Sequence, residues 1–150
     1  RAFLVHSAAV VTSDEDTLAL MQDAVFDPAT TVVLARGDDF VWSPTRPSSA
    51  RITHYAPERV EIELDASAPG YLVLTDAWYP GWQATVDGEP APIQRADLLF
   101  RAVAVEAGQH HVIFTFRPAS VWAGMSVSLA ALVGLALALS KARRGDIMRG

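Results

Sequence analysis

ITHYAPERVEIELDA, residues 52–66, is the stretch on which the class of this chain turns. Val60, Ile62 and Leu64 alternate with Glu61, Glu63 and Asp65, the period of a strand with one face in a core and the other in water. A strand is expected just before it, near residues 51–55, with Pro57 as the break.

Working outward toward the C-terminus, Pro69-Gly70 predicts a turn ahead of a strand from Tyr71 to about Asp76. Further strands are expected over residues 83–86, 91–94, 98–105 and 109–116, with Asp87-Gly88 and Ala107-Gly108 joining neighbours as hairpins. Short strands at this spacing predict an antiparallel β-sandwich over residues 51–119.

Toward the N-terminus, residues 2–5 and 8–11 are apolar runs of strand type. Ser13 is a good helix N-cap, Asp16 stands three residues on, and Asp14 and Glu15 suit the positive end of the helix dipole. The helix is expected to show Leu18, Leu20, Met21 and Val25 as its apolar side and to end at Asp27-Pro28. With a strand over residues 31–35, residues 1–36 read as a small α/β strand-helix-strand unit. Residues 37–50, rich in Gly, Pro and Ser, read as a linker.

From Val121 to Ser140 the chain has no Asp, Glu, Lys, Arg or His, and twenty such residues match the hydrocarbon thickness of a bilayer. A buried helix of a globular protein is usually shorter and carries a polar stripe, and a secretory signal would stand at the N-terminus. Residues 120–140 are therefore predicted to be a transmembrane helix. Gly124, Ser128, Ala131 and Gly134, with Ala123, are small residues at spacings that let helices approach closely, which predicts packing against other spans.

Charge sets the expected orientation. Residues 141–150 hold four basic residues and one acid, a sum of 4 − 1 = +3, and residues 1–120 hold eight Arg and sixteen acids, a sum of 8 − 16 = −8. By the positive-inside rule the tail is expected in the cytoplasm and residues 1–119 outside it, at the cell membrane. The acidic portion argues against nucleic acid as a partner. Zero cysteines exclude disulfides and thiolate chemistry. Since the chain opens at Arg1 without an export signal, it reads as the C-terminal end of a longer membrane protein, with upstream transmembrane helices and the lipid bilayer as its partners.

The spaced elements Tyr79-Pro80-Gly81-Trp82, Val86-Asp87-Gly88, Phe100-Arg101-Ala102-Val103, Ala107-Gly108 with His110, and Phe116-Arg117-Pro118 stand in one order ahead of the final apolar segment. In this the chain resembles the C-terminal region of bacterial YfhO-like membrane proteins, which are similar to the GT-C class of polyprenyl-phosphate-sugar-dependent glycosyltransferases. His111 departs from that pattern by doubling a single histidine. The resemblance implies a parent that transfers sugar to a cell-envelope polymer, with its catalytic acids on an early external loop, so this region is expected to be non-catalytic.

Candidate sites follow from AWYPGWQATVDGEP, residues 77–90. Pro80-Gly81 and Asp87-Gly88 are turn steps. Trp78, Tyr79 and Trp82 either pin a sheet corner or stack on a sugar or lipid headgroup, since aromatic rings suit all three uses. Glu61, Glu63 and Asp65 share a strand face and read as solvated rather than as a calcium site. His6, His54, His110 and His111 do not suggest zinc, because neighbours in a strand point to opposite faces. With no nucleophile, phosphate-loop or dinucleotide motif, neither a catalytic residue, a metal nor a cofactor is expected. The leading expectation is a non-catalytic extracytoplasmic module that helps bind an envelope glycan or acceptor. A domain that caps the transmembrane bundle and a hydrolase are the rivals.

Overall fold

In the computed structural model, which describes residues 1–37, 39–118, 120–121 and 124–135, the alternation of residues 59–66 becomes strand β6 (Arg59–Ala66). Val60, Ile62, Leu64 and Ala66 are buried on one face. β6 pairs antiparallel with β5 (Ser49–Ala56), across an irregularity between Ile52 and His54, and with β12 (Gly108–Phe116). β8 (Trp82–Val86) and β9 (Glu89–Ala91) complete a five-stranded sheet in the order β5-β6-β12-β8-β9. β8 turns into β9 through Asp87 (φ 53°) and Gly88 (φ 88°), the positive pair that a type I′ hairpin turn demands.

β7 (Gly70–Leu74) is buried at all five positions, and its unbroken apolar run reflects a strand covered on both faces. It lies between β1 (Ala2–Val5) and β11 (Phe100–Val105) in a second sheet. That sheet continues through β10 (Gln94–Ala96), β3 (Thr31–Leu34), β2 (Ser7–Val10) and β4 (Phe40–Val41). β2 and β3 run parallel, connected by helix α1 (Asp14–Met21), and the other strand pairs are antiparallel. β1 and β2 are separated only by His6 yet stand far apart in the strand order, so the sheet must curl round until its two sides meet there. At the meeting point a Cβ on Gly70 would lie 2.3 Å from the Val5 carbonyl oxygen, so only glycine fits.

Two cores result. Leu72, Leu74, Val103 and Val105 pack against Val60, Ile62, Leu64, Val112 and Phe114, joining the two sheets face to face. Val5, Val32, Leu34, Tyr71, Val73 and Ala102 form a second cluster on the opposite face of the curled sheet. The chain is thus mainly β, with two antiparallel-rich sheets. The strands of residues 1–36, expected as a unit of their own, are built into the curled sheet, where β1 pairs with β7 and β3 with β10. Unpaired strand edges would otherwise face water. Residues 37–50, read as a linker, include β4 and the start of β5, and one compact unit runs from Arg1 to Arg117.

Ser13 caps α1, its Oγ accepting from the Asp16 amide at 3.2 Å. The helix stops at Met21 rather than at Asp27-Pro28, and Thr17 is its buried residue, while Leu18 is half exposed and Val25 nearly fully so. The Asp23 and Asp27 carboxylates bond the amides of Val25 and Ala29, both at 2.9 Å, and such local bonds compete with the helical ladder.

The second unit starts at Pro118. Here the expectation of a transmembrane helix is corrected: among the described residues no helix is long and apolar enough to cross a membrane. Helical residues among those described are 120–121 and 124–135. Ala123, the end of the expected span and the basic tail lie outside the described residues. Gly124, Ser128, Ala131 and Gly134 are exposed in this unit, and a Cβ on either glycine would meet nothing within 4 Å.

Candidate functional site

The corner between β7 and β8 is formed by Tyr79-Pro80-Gly81-Trp82. Gly81 has φ 109°, the sign a type II turn requires after proline. The Trp82 amide donates to the Tyr79 carbonyl at 3.5 Å, and the Gly81 carbonyl accepts from the Arg117 amide at 2.7 Å. The corner is therefore fastened to the last residue of the first unit.

The three aromatics singled out from sequence go separate ways. Trp82 turns inward onto the intersheet core, 5.3 Å from the Phe116 ring. Tyr79 is 65% exposed and touches Phe116 at 6.4 Å between ring centroids. Trp78, 39% exposed, is held through its backbone amide, which donates to the Leu99 carbonyl at 2.6 Å.

Beneath Trp82 lies a residue that entered the sequence reading only as part of the family pattern. Arg101 occupies an inward position of β11 and is 2% exposed. Its guanidinium carbon lies 3.8 Å from the Trp82 ring centroid and 5.5 Å from that of Phe114. Nη2 donates to Asp76 at 3.2 Å, while Nε and Nη1 have no hydrogen-bond partner among the described residues. Burial pulls the Arg101 pKa below its ordinary value, and the Asp76 carboxylate opposes that pull. Asp76 also accepts from the Tyr55 hydroxyl at 3.1 Å and faces Arg1 Nε at 3.5 Å. A charged residue in phase with Val103 and Val105 is the signal that could have flagged Arg101.

Trp78 borders a groove of about 800 Å³ lined also by Arg36, Gln94, Arg95, Leu98 and Leu99. Its wall is the β10–β11 hairpin, where Asp97 and Leu98 take φ 47° and 67°. Asp97 locks that hairpin to β3: its amide donates to the Val33 carbonyl and its carboxylate accepts from the Val33 amide, both at 2.8 Å. Burial raises the Asp97 pKa, with the Val33 N–H acting in the opposite sense. Arg95 forms a bidentate pair with Asp14 of α1, whereas Arg36 is exposed and makes no ion pair among the described residues. The groove thus offers an aromatic face, an exposed guanidinium and hydrogen-bonding side chains, the kind of lining that receives a polar ring compound.

The other candidates are engaged. Asp87 accepts from His110 Nδ1 at 2.7 Å and the His111 amide at 2.8 Å, and these contacts hold its pKa below the usual carboxylate range. Glu61, Glu63 and Asp65 pair with Arg59, Arg51 and Arg46. Among the described residues no group of three or more His, Cys, Asp or Glu is arranged to hold a metal ion. His6 meets Ser48 Oγ at 2.9 Å, but that oxygen also accepts from the Ser67 amide and meets Ser67 Oγ, each at 2.9 Å. With the Pro69 carbonyl 2.9 Å from Nδ1, the His6–Ser48–Ser67 group ties loops together and leaves no open nucleophile.

A family model described as bacterial membrane protein YfhO matches residues 45–128, more than half of the chain. No curated protein and no solved structure matches it.

Proposed function

This chain belongs to the bacterial membrane protein YfhO family, and from that premise we propose that residues 1–119 form a non-catalytic, extracytoplasmic module that helps a glycosyltransferase-related membrane protein bind an envelope glycan or acceptor. The observation that carries this reading is the groove of about 800 Å³ in which exposed Trp78 stands with Arg36, Gln94 and Arg95. A sugar ring stacks on an indole face while its hydroxyls take bonds from the amide and guanidinium groups. Trp82 has its inner face occupied by Arg101, so Trp78 is the stacking residue and Trp82 the support.

Titrating the full chain with envelope polymers is expected to change tryptophan emission, and Trp78→Ala abolishes the change. No response to any envelope polymer would remove the binding role. The chain lacks cysteine, so a thiol introduced as Glu106→Cys tests the compartment. It should react with a membrane-impermeant maleimide in intact cells, and reaction only after lysis would overturn the extracytoplasmic placement.

A second reading, a cap that stabilises the upstream transmembrane helices, is favoured by the bond that fastens the corner to Arg117 at 2.7 Å. It predicts that Trp82→Ala lowers the abundance of the parent protein while the surviving molecules keep full activity.

A further inference from the structure

We propose that the corner end of the first unit is a lipid-contacting rim, seated against the headgroup layer of an anionic bilayer through Tyr55, Tyr79 and Leu99 with Arg1 and Arg117. These side chains converge because the register brings them to one end. Arg1 precedes β1, whose Ala2 is opposite Leu74; Arg101 is opposite Leu74; and Trp82 is opposite Phe116. Tyr55 is 49% exposed, and Tyr79 and Leu99 are each 65% exposed.

Two features commit the rim to lipid. Its rings are the tyrosines Tyr55 and Tyr79, and tyrosine carries an apolar body and a polar tip and concentrates where hydrocarbon gives way to headgroups. Its charge also runs against that of the unit: Arg1, Arg59, Arg101 and Arg117 stand here against Glu58, Asp76 and Asp97, while residues 1–117 hold eight arginines and sixteen acids. The opposite end carries Asp65, paired with Arg46, together with Asp87, Glu89 and Glu106. A negatively charged leaflet attracts the first end and repels the second. The family is one of membrane proteins, and the chain leaves this unit from the rim, at Arg117. The inference does not rest on the glycan reading.

The absence of cysteine allows single spin labels at Tyr79→Cys, Leu99→Cys and, at the opposite end, Glu106→Cys. The full chain is reconstituted into vesicles of phosphatidylcholine with or without phosphatidylglycerol. Labels at 79 and 99 are expected to collide more with oxygen than with a water-soluble nickel complex, and the label at 106 the reverse. Adding phosphatidylglycerol should strengthen that contrast, and Arg117→Glu should weaken it. Leu99→Cys removes only an exposed side chain, so its result stands even if Tyr79→Cys disturbs the corner. Labels at 79 and 99 as open to nickel as the one at 106, or indifference to phosphatidylglycerol, would overturn the rim, and neither result touches the polymer titration.

Discussion

The two ends of β12 treat charge in opposite ways. At Gly108, Asp87 sits half exposed on a hairpin turn and takes its partners, His110 and the His111 amide, from the strand beside it. At Phe116 a full guanidinium lies inside the protein, packed against the rings of Trp82 and Phe114 and joined to Asp76. Both ends begin from a glycine turn, Gly88 in one and Gly81 in the other. The lesson is that water sets the worth of an ion pair. An exposed pair contributes little to stability, whereas separating a desolvated one leaves a charge that nothing solvates.

The sharpest way to break the comparison is to remove Asp76. Asp76→Ala strands Arg101 in the core and should cost about 3 kcal/mol, measured by urea unfolding of the full chain in detergent. A cost as small as that of an exposed pair would mean that Arg101 finds water in the folded state. Trp82→Ala takes away the ring above the guanidinium as well as intersheet packing, with an expected loss of about 2 to 3 kcal/mol by the same assay. Gly81→Ala should cost about 1 to 2 kcal/mol, because a Cβ is strained at φ 109°.

The smallest effect is a difference in sign between two carboxylates. Asp87 has its pKa lowered by His110, so it contributes stability above the ordinary aspartate pKa, and that contribution is lost as pH falls through its depressed value. Asp97 has its pKa raised by burial, so its contribution is complete below the ordinary value and is lost as pH rises toward and through the raised one. Carboxyl carbon NMR of aspartate-labelled protein should place the Asp97 midpoint above 3.8 and the Asp87 midpoint below it. Reversal of that order would refute the burial of Asp97.

Much of the site is legible in the sequence, but not its division of labour. Pro80-Gly81 announced a corner, and its two flanking tryptophans announced packing or stacking. Trp78 and Trp82 look alike in one dimension. They differ because Trp82 begins β8, opposite Phe116, whereas Trp78 is held at the hairpin of β10 and β11 by the Leu99 carbonyl. Arg101 stayed hidden because a charge within a strand reads as an outward residue, and its pairing with Asp76 spans twenty-five positions. The helix after Ser13 ends at Met21, short of the expected stop at Asp27-Pro28, because Asp23 and Asp27 bend the backbone into local turns. The apolar segment after Pro118 has the composition of a span, yet among the described residues no helix is long and apolar enough to cross a membrane.

By itself the sequence determined what local physics can decide: strand periodicity over residues 59–66, glycines where φ is positive, the cap at Ser13, and an acidic unit followed by an apolar one. Only the tertiary structure decided that β1 joins β7 and β3 joins β10, that the sheet curls until it meets at His6, and that an arginine lies in the core. Alternation and turn geometry are set by neighbours in the chain. Strand partners and the burial of a charge depend on groups dozens of residues apart, which come together only when the two sheets close on each other.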